Sequence, residues 1–340
     1  MGAGPGTPEV TVVVCTRDGA GRLRPTLDHL GAALDEAARA DLPAEVVVVD
    51  NGSTDATPAV LADAARRDPR LRVVAEPRPG IARARNAGVA AAAAPVVLFT
   101  DDDVHVPPHW VRRMAEPLRR GEADLVGGSV ALAPHLERPW LSPALASAYF
   151  AVVPEPPAVG REFAAASIGA TRAVLDAVPF DESLGTARYP GAEDTVFRLD
   201  VLAAGFRQGA VAGATVEHHP EPERLDPTRL ARQATGRGRG EAYLAHHLLG
   251  KRPAAAESAA KLVATWGLLT GRRLRAALAG AARAGAARAS AAPRPGAGGA
   301  GRPGGAGAEV DEELLRLRRR VAFHRELLAL RRATRRRVPS

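Results

Sequence analysis

Cysteine is almost absent from this 340-residue chain. Cys15 is the only one, so no intrachain disulfide can form and the fold needs no oxidising compartment. No uninterrupted apolar run approaches the roughly 18 residues of a membrane-spanning helix. The stretch Ala87 to Phe99 is too short, and reads as a helix end followed by a buried strand. Met1 to Pro8 is small and polar, without the charged-then-apolar pattern of a secretory signal. These absences lead us to expect a cytoplasmic protein, either free or peripheral at the inner face of the membrane. Lysine is scarce too. Lys251 and Lys261 are the only two, so arginine dominates the basic side of a formal net charge of +8.

The apolar fraction of 46% is ample for a core, and the length suits one large α/β domain with an appendage. Four short β-branched or apolar runs open the chain: Val10 to Cys15, Glu45 to Val49, Leu71 to Ala75 and Pro95 to Thr100. Helical patterns lie between them at Leu23 to Arg39, Thr57 to Arg67 and Ile81 to Ala92. Continuous rather than alternating apolar strands, separated by helices, predict a parallel sheet covered on both faces. Trp110 to His219 reads as mixed α+β with long loops. Arg224 to about Arg288 is helical and alanine-rich. Ala291 to Ala308 is a glycine, proline and alanine linker, expected to be disordered. A charged helix resumes from Glu309.

In sheets of this kind ligands gather at the carboxyl ends of the strands, and there the polar residues sit. Asp101-Asp102-Asp103 follows the run Pro95 to Thr100. Three adjacent carboxylates repel one another and are costly to desolvate, so a fold rarely gathers them at a strand end without a cation or donors to meet them, the alternative being a solvated acidic turn. Oxygen ligands in that position suit Mg²⁺ or Mn²⁺. Asp50 ends a second strand and opens the turn Asn51-Gly52-Ser53-Thr54-Asp55. In that turn Asp55 or Thr54 is a reasonable N-cap for the helix at Thr57. Arg83 and Arg85 lie in the first turns of a helix, where arginine suits phosphate or base recognition. Glu193-Asp194 opens another helix, where the dipole favours acids in any case. His218 and His219 follow an apolar run; adjacent side chains on a strand point apart, so at most one should be a ligand.

Taken in order, Val12 to Arg17, Val49 to Thr57, Gly80 with Ala84 to Gly88, Phe99 to Asp103, and Gly191 to Asp194 with Arg198-Leu199 and Ala204-Gly205 form a consistent set. Together they resemble glycosyltransferase family 2, the inverting nucleotide-sugar transferases of the GT-A fold. The resemblance covers about residues 9 to 225. It implies a Rossmann-like GT-A core with a mostly parallel sheet; beyond it, composition alone suggests a helical extension (226–290), the linker (291–308) and a basic tail (309–340). It further implies that Thr16, Arg17, Asp50, Arg85, Asp101 and Asp102 face a nucleotide-sugar, with uracil the commonest base. Asp103 would hold Mn²⁺ or Mg²⁺ with His218, His219 being the close second. Asp194 would be the general base, with Glu193 its neighbour.

Two departures narrow this expectation. Where many relatives carry Gly-Ala-Asn in the acceptor region, this chain reads Ser167-Ile168-Gly169-Ala170-Thr171-Arg172, so no acceptor contact carries over. The polymerase-type Gln-X-X-Arg-Trp motif is also absent; Gln233-Ala234-Thr235-Gly236-Arg237 lacks the tryptophan. Transfer of a single sugar is therefore expected, to an acceptor that is a glycan, a lipid or a small molecule.

The tail carries Arg316, Arg318, Arg319, Arg320, Arg325, Arg331, Arg332, Arg335, Arg336 and Arg337 around an apolar set that includes Leu314, Leu317, Val321 and Leu328. A basic amphipathic helix reads as contacting an anionic membrane surface or a partner, or as simply solvated. Nucleic-acid binding is not expected, because Phe323 is the only stacking platform there. Two rival readings are a nucleotidyltransferase on the same architecture and a non-catalytic peripheral membrane adaptor. The first would need a glycine-rich basic loop after the first strand, for which Gly19 to Arg24 is a faint match. The second would not require Asp50, Asp103 and Asp194 together.

Overall fold

A computed structural model describes residues 7–158, 163–247, 256–272 and 310–336, the last six by backbone alone. The expected linker 291–308 and the first six residues lie outside these. The chain divides into two compact units, Met1–Arg224 and Leu225–Ser340.

The first unit is built on one mixed eight-stranded sheet of order β3-β2-β1-β4-β7-β6-β8-β5. Its strands β1 (Val10–Thr16), β2 (Ala44–Asp50), β3 (Leu71–Ala75) and β4 (Val96–Asp101) are parallel neighbours. They match the apolar runs of the sequence to within a residue or two at each end. The helices between them are α1 (Leu23–Arg39), α2 (Thr57–Arg67) and α3 (Ile81–Ala91). The sheet continues through β5 (Val104–His105), β6 (Leu125–Leu132), β7 (Ile168–Thr171) and β8 (Gln208–His218). Here β7 runs antiparallel to both β4 and β6, whereas β6 and β8 are parallel.

Alternate residues of the central strands enter different cores. Val10, Val12 and Val14 pack with Leu23, Leu30, Trp110 and Met114, from α1 and from α4 (Trp110–Arg119). Val13, Val47 and Val49 pack on the opposite face with Ala84, Phe180 and Phe197. Burial on both faces is why these strands read as continuous valine runs. Helix α3 lies so close to the sheet that a Cβ at Gly88 would stand 2.4 Å from Val13 Cγ1.

One expected cap is corrected. Helix α2 has Ala56 at its N-cap position with no side-chain cap there. Asp55 instead acts from one residue earlier: its Oδ1 accepts from Thr57 N at 2.9 Å and from Thr57 Oγ1 at 2.5 Å.

The second unit is helical. Helix α8 (Pro227–His247) packs against α10 (Glu312–Arg336), and a further helix, α9, spans 256–272. The intervening short helices of the first unit are α5 (Pro143–Phe150), α6 (Arg172–Ala177) and α7 (Glu193–Ala203). A Cβ on Gly238 of α8 would lie 2.1 Å from Arg319 O of α10, so glycine permits this approach. Leu315, Leu317, Leu327 and Leu330 of α10 are buried. Much of the apolar set expected to meet a membrane is thus used inside the unit, while Arg316, Arg320 and Arg325 remain exposed.

Candidate functional site

The parallel register aligns the strand ends: Thr16 pairs with Asp50 and Cys15 with Asp101. A cleft of about 480 Å³ opens over them. Among the expected site residues, Thr16, Arg17, Asp101, Asp102, Asp103 and His218 line it. Asp50, Arg85, Glu193 and Asp194 do not line it. Asp50 stands beside it at the end of β2, Arg85 and Glu193 connect to it through Asp101, and Asp194 follows Glu193 in α7.

The three carboxylates of the triplet diverge. Asp102 turns inward: its Oδ2 accepts from Thr16 Oγ1 at 2.5 Å, and Arg22 grips both carboxylate oxygens at 3.1 and 2.9 Å. Thr26 Oγ1 donates to its carbonyl oxygen at 2.9 Å. Burial pushes the Asp102 carboxyl up to about 6, against the pull of Arg22. Its carboxylate thereby holds the turn, while the residue lines the cleft.

Asp103 faces His218. Burial opposes ionisation of Asp103, but His218, Arg224 and Arg22 outweigh it and hold its carboxyl below the usual range. The His218 Nδ1 atom lies 2.6 Å from Phe150 O. A carbonyl oxygen only accepts, so Nδ1 carries the hydrogen. Its other nitrogen, Nε2, stands 3.4 Å from Asp103 Oδ2. With no cation between them, an Nε2–H can donate to Asp103, which is the contact that lowers its carboxyl. With a cation between them, a neutral imidazole would turn its Nε2 lone pair and Asp103 its carboxylate to the same ion. Among the described residues no group of three or more acidic, histidine or cysteine side chains forms a complete metal cage. An imidazole and a carboxylate fit Mn²⁺ or Mg²⁺ when substrate oxygens and water fill the remaining positions. His219, just past the end of β8, points elsewhere and stacks on His105 with ring centroids 3.7 Å apart.

Arg85 links the cleft to α7. Almost wholly buried, it donates Nη1 to Glu193 Oε1 at 2.8 Å and approaches Asp101 Oδ1 with Nη2 at 3.4 Å. Its guanidinium also lies 5.6 Å from the Phe180 ring centroid. Arg85 is therefore committed to two carboxylates rather than presented to the cleft. Arg83, its neighbour in the sequence, pairs with Glu182 at 3.2 Å. Burial raises the Asp101 carboxyl, Arg85 opposes this, and Asp103 adds to it.

Helix α7 begins at Glu193 because Gly191 and Ala192 turn the chain with φ of 89° and 69°. For alanine the left-handed region is a strained choice, and such strain is stored where surroundings enforce it. Asp194 is half-buried; its Oδ1 accepts from Thr195 N at 2.7 Å. Burial, with Glu193 adjacent, pushes its carboxyl up to about 6 despite Arg85. A carboxylate so raised is a better proton acceptor than a solvated one.

Three contributors were missed in the sequence. Arg22 grips Asp102 and also reaches Arg17 O, Asp18 O and Glu221. Asn51 donates Nδ2 to the carbonyls of Glu76 and Arg78 and accepts from Gly80 N, tying the β3–α3 loop to the end of β2. Arg224 places Nη1 3.7 Å from Asp103 Oδ2. No sequence signal marks Arg224, which lies beyond the last recognisable motif. Arg22 lies within Gly19 to Arg24, which in the sequence is only a faint match to a glycine-rich basic loop.

Comparison with known proteins shows what the first part of the chain is similar to. The model for "Glycosyl transferase family 2" matches residues 11–150. Residues 11–150 of the chain are similar to glycosyl transferase family 2. Over 127 residues the chain is 39% identical to succinoglycan biosynthesis protein ExoO of Rhizobium meliloti, covering 37% of this chain and 32% of that one. Over 96 residues it is 41% identical to the uncharacterized glycosyltransferase Rv0539 of Mycobacterium tuberculosis, covering 28% of this chain and 41% of that one. It therefore spans less than half the length of these curated relatives. The mannosyltransferase PcManGT of Pyrobaculum calidifontis, solved with GDP-Man and Mn²⁺, superposes with a TM-score of 0.56 at 22% identity. That match covers 96% of this chain and 87% of the other, and it supports the GT-A fold.

Proposed function

We propose that this chain is a metal-dependent, inverting glycosyltransferase that moves one sugar from a nucleotide-sugar to an acceptor hydroxyl. The observation that carries the reading is the facing pair of Asp103 and His218, 3.4 Å apart, at the mouth of the strand-end cleft. These two residues would hold Mn²⁺ or Mg²⁺. When bound, the ion supplies positive charge against the departing nucleoside diphosphate.

The chain's own residues carry the rest. Asp50 receives the base, with Asn51 fixing the adjoining loop. Thr16, Arg17 and Asp101 border the sugar and phosphates, and Asp102 with Arg22 keeps the turn in place. Asp194 takes the proton from the acceptor hydroxyl as its oxygen bonds to the anomeric carbon. The bond from that carbon to the phosphate oxygen breaks, and the nucleoside diphosphate leaves from the opposite face. A single displacement inverts the configuration. Uridine is the first nucleotide to test and guanosine the second. No described helix is long and apolar enough to cross a membrane. The exposed arginines of α10 are suited to electrostatic association with an anionic membrane surface, without insertion of the buried leucines.

A thermal-shift titration with UDP, GDP, ADP and CDP, each with Mn²⁺ or EDTA, tests donor recognition. A ligand that binds only the native state raises its stability. We expect one nucleotide to stabilise the protein, and only with the metal. No stabilisation by any nucleotide in either condition would overturn the reading.

A further inference from the structure

Charge is divided unevenly between the two units. Residues 225–340 carry 24 arginine and lysine side chains against eight acidic ones, a net of +16. Residues 1–224 carry 22 against 30, a net of −8. Such asymmetry marks the second unit as the one that meets an anionic partner.

The same unit exposes an apolar helix face. Among the described residues five large apolar side chains are exposed, and three of them lie close together in α9: Val263 at 70%, Trp266 at 59% and Leu268 at 55%. Helix α9 turns Ser258, Thr265 and Leu269 inward, seven and four residues apart, as the buried stripe of one helix. Ala260, Val263, Ala264 and Gly267 fall on the opposite side, which carries no charge. The charged side chains of α9 are engaged within the unit: Lys261 pairs with Glu257 at 2.6 Å, and Arg272 with Asp311 at 2.6 Å.

Size and charge together select the occupant. The helix spans 256–272, so its outward face is about 25 Å long and about 10 Å wide. A second copy laid along that face would bury on the order of 250 Å² per partner, against the roughly 800 Å² of a stable interface. A soluble polyanion offers nothing to Val263 and Leu268. An anionic bilayer offers acidic headgroups to the basic unit and an acyl boundary to the apolar side chains, a depth that favours tryptophan. Glu257, Lys261 and Arg272 fit a helix that lies in the plane of the surface rather than across it.

We infer that α9 is an in-plane membrane helix whose Val263, Trp266 and Leu268 enter the headgroup–acyl boundary of an anionic bilayer. This rests on the anionic-surface part of the function proposed above and deepens it. There the arginines of α10 act by charge alone; here α9 adds insertion.

Sedimentation of the full chain with vesicles of phosphatidylglycerol and phosphatidylcholine tests this, with pure phosphatidylcholine vesicles for comparison. The chain should bind the anionic vesicles, and high salt should weaken that binding without abolishing it. Trp110 is buried and Trp140 half-buried, so Trp266 is the one to report insertion. Tryptophan emission should move to shorter wavelength on binding and be quenched by brominated acyl chains, and Trp266→Ser should lose both signals. Trp266→Ser and Leu268→Ser should each weaken vesicle binding about tenfold or more, the change expected when a large apolar side chain no longer leaves water. Both positions are exposed, so the variants should fold, which circular dichroism checks. Val73→Ser, on an exposed valine of the first unit, should bind as the wild type does. Unchanged binding in Trp266→Ser and Leu268→Ser, fully reversed by salt, would overturn the inference and leave the charge-only role of α10 standing. No binding to anionic vesicles at low salt would overturn both. Self-association of the protein without vesicles, abolished by Trp266→Ser, would overturn the inference by making α9 a contact between copies.

Discussion

Arg85 of α3 and Glu193 of α7 form a buried ion pair at 2.8 Å between residues 108 apart in the sequence. Neither side chain is more than 9% exposed. The pair fixes the start of α7, and with it Asp194, relative to Asp101 at the end of β4. It is how a helix distant in sequence is brought to the strand-end cleft.

Removing one partner of such a pair strands the other charge. Arg85→Met should therefore destabilise the protein by about 3–5 kcal/mol. Arg85→Met with Glu193→Gln should recover much of that loss. Urea unfolding of both variants measures this. An Arg85→Met protein as stable as the wild type would show that the pair does not hold α7.

Asp103→Ala should abolish metal-dependent nucleotide affinity, because His218 alone is a poor anchor for Mn²⁺ or Mg²⁺. Adding EDTA to the wild type should give the same weak binding, and EDTA should not alter the variant. Calorimetry with and without Mn²⁺ reads both. Undiminished metal dependence in Asp103→Ala would move the metal elsewhere.

In the helical unit, Gly238→Ala would drive a methyl against Arg319 O, where a Cβ has only 2.1 Å. The backbones of α8 and α10 must separate, at a cost of about 1–3 kcal/mol. Thermal unfolding followed by circular dichroism should show a lower midpoint. An unchanged midpoint would mean that the helices are not packed this closely.

Asp194 sets the expected pH dependence. Its carboxyl is raised to about 6, and a general base acts only when deprotonated. The rate should therefore be level at neutral pH and fall as pH drops through about 6, close to tenfold per unit below it. Asp102 is also raised to about 6, so the profile of Asp194→Asn is the control. If its residual rate keeps the same acid limb, the limb belongs to another group such as Asp102.

The strands and the strand-end site were readable because buried parallel strands need unbroken apolar runs and ligand-facing ends need polar residues. Val46 to Val49 followed by Asp50 is that pattern in five residues. The fate of each acid in Asp101-Asp102-Asp103 was not readable. It depends on Arg22, 80 residues away, which turns Asp102 inward. Arg85 looked like a ligand-facing arginine for the same reason: its partner Glu193 meets it only in the fold. In α10 the leucine pattern marked an apolar face correctly, but not its occupant. Gly238 admits α10 to α8, and nothing in the run Gly236-Arg237-Gly238-Arg239-Gly240 says which of its glycines takes that role.

The central claim is that Asp194 accepts the proton during transfer from a nucleotide-sugar. Release of nucleoside diphosphate by wild type, Asp194→Asn and Glu193→Gln tests it directly, with Mn²⁺ and the donor whose nucleotide stabilises the protein. Asp194→Asn should bind the donor as the wild type does, yet lose transfer and slow hydrolysis by about 10²–10⁴-fold. A wild-type rate in Asp194→Asn, with Glu193→Gln inactive, would contradict the assignment and make Glu193 the base.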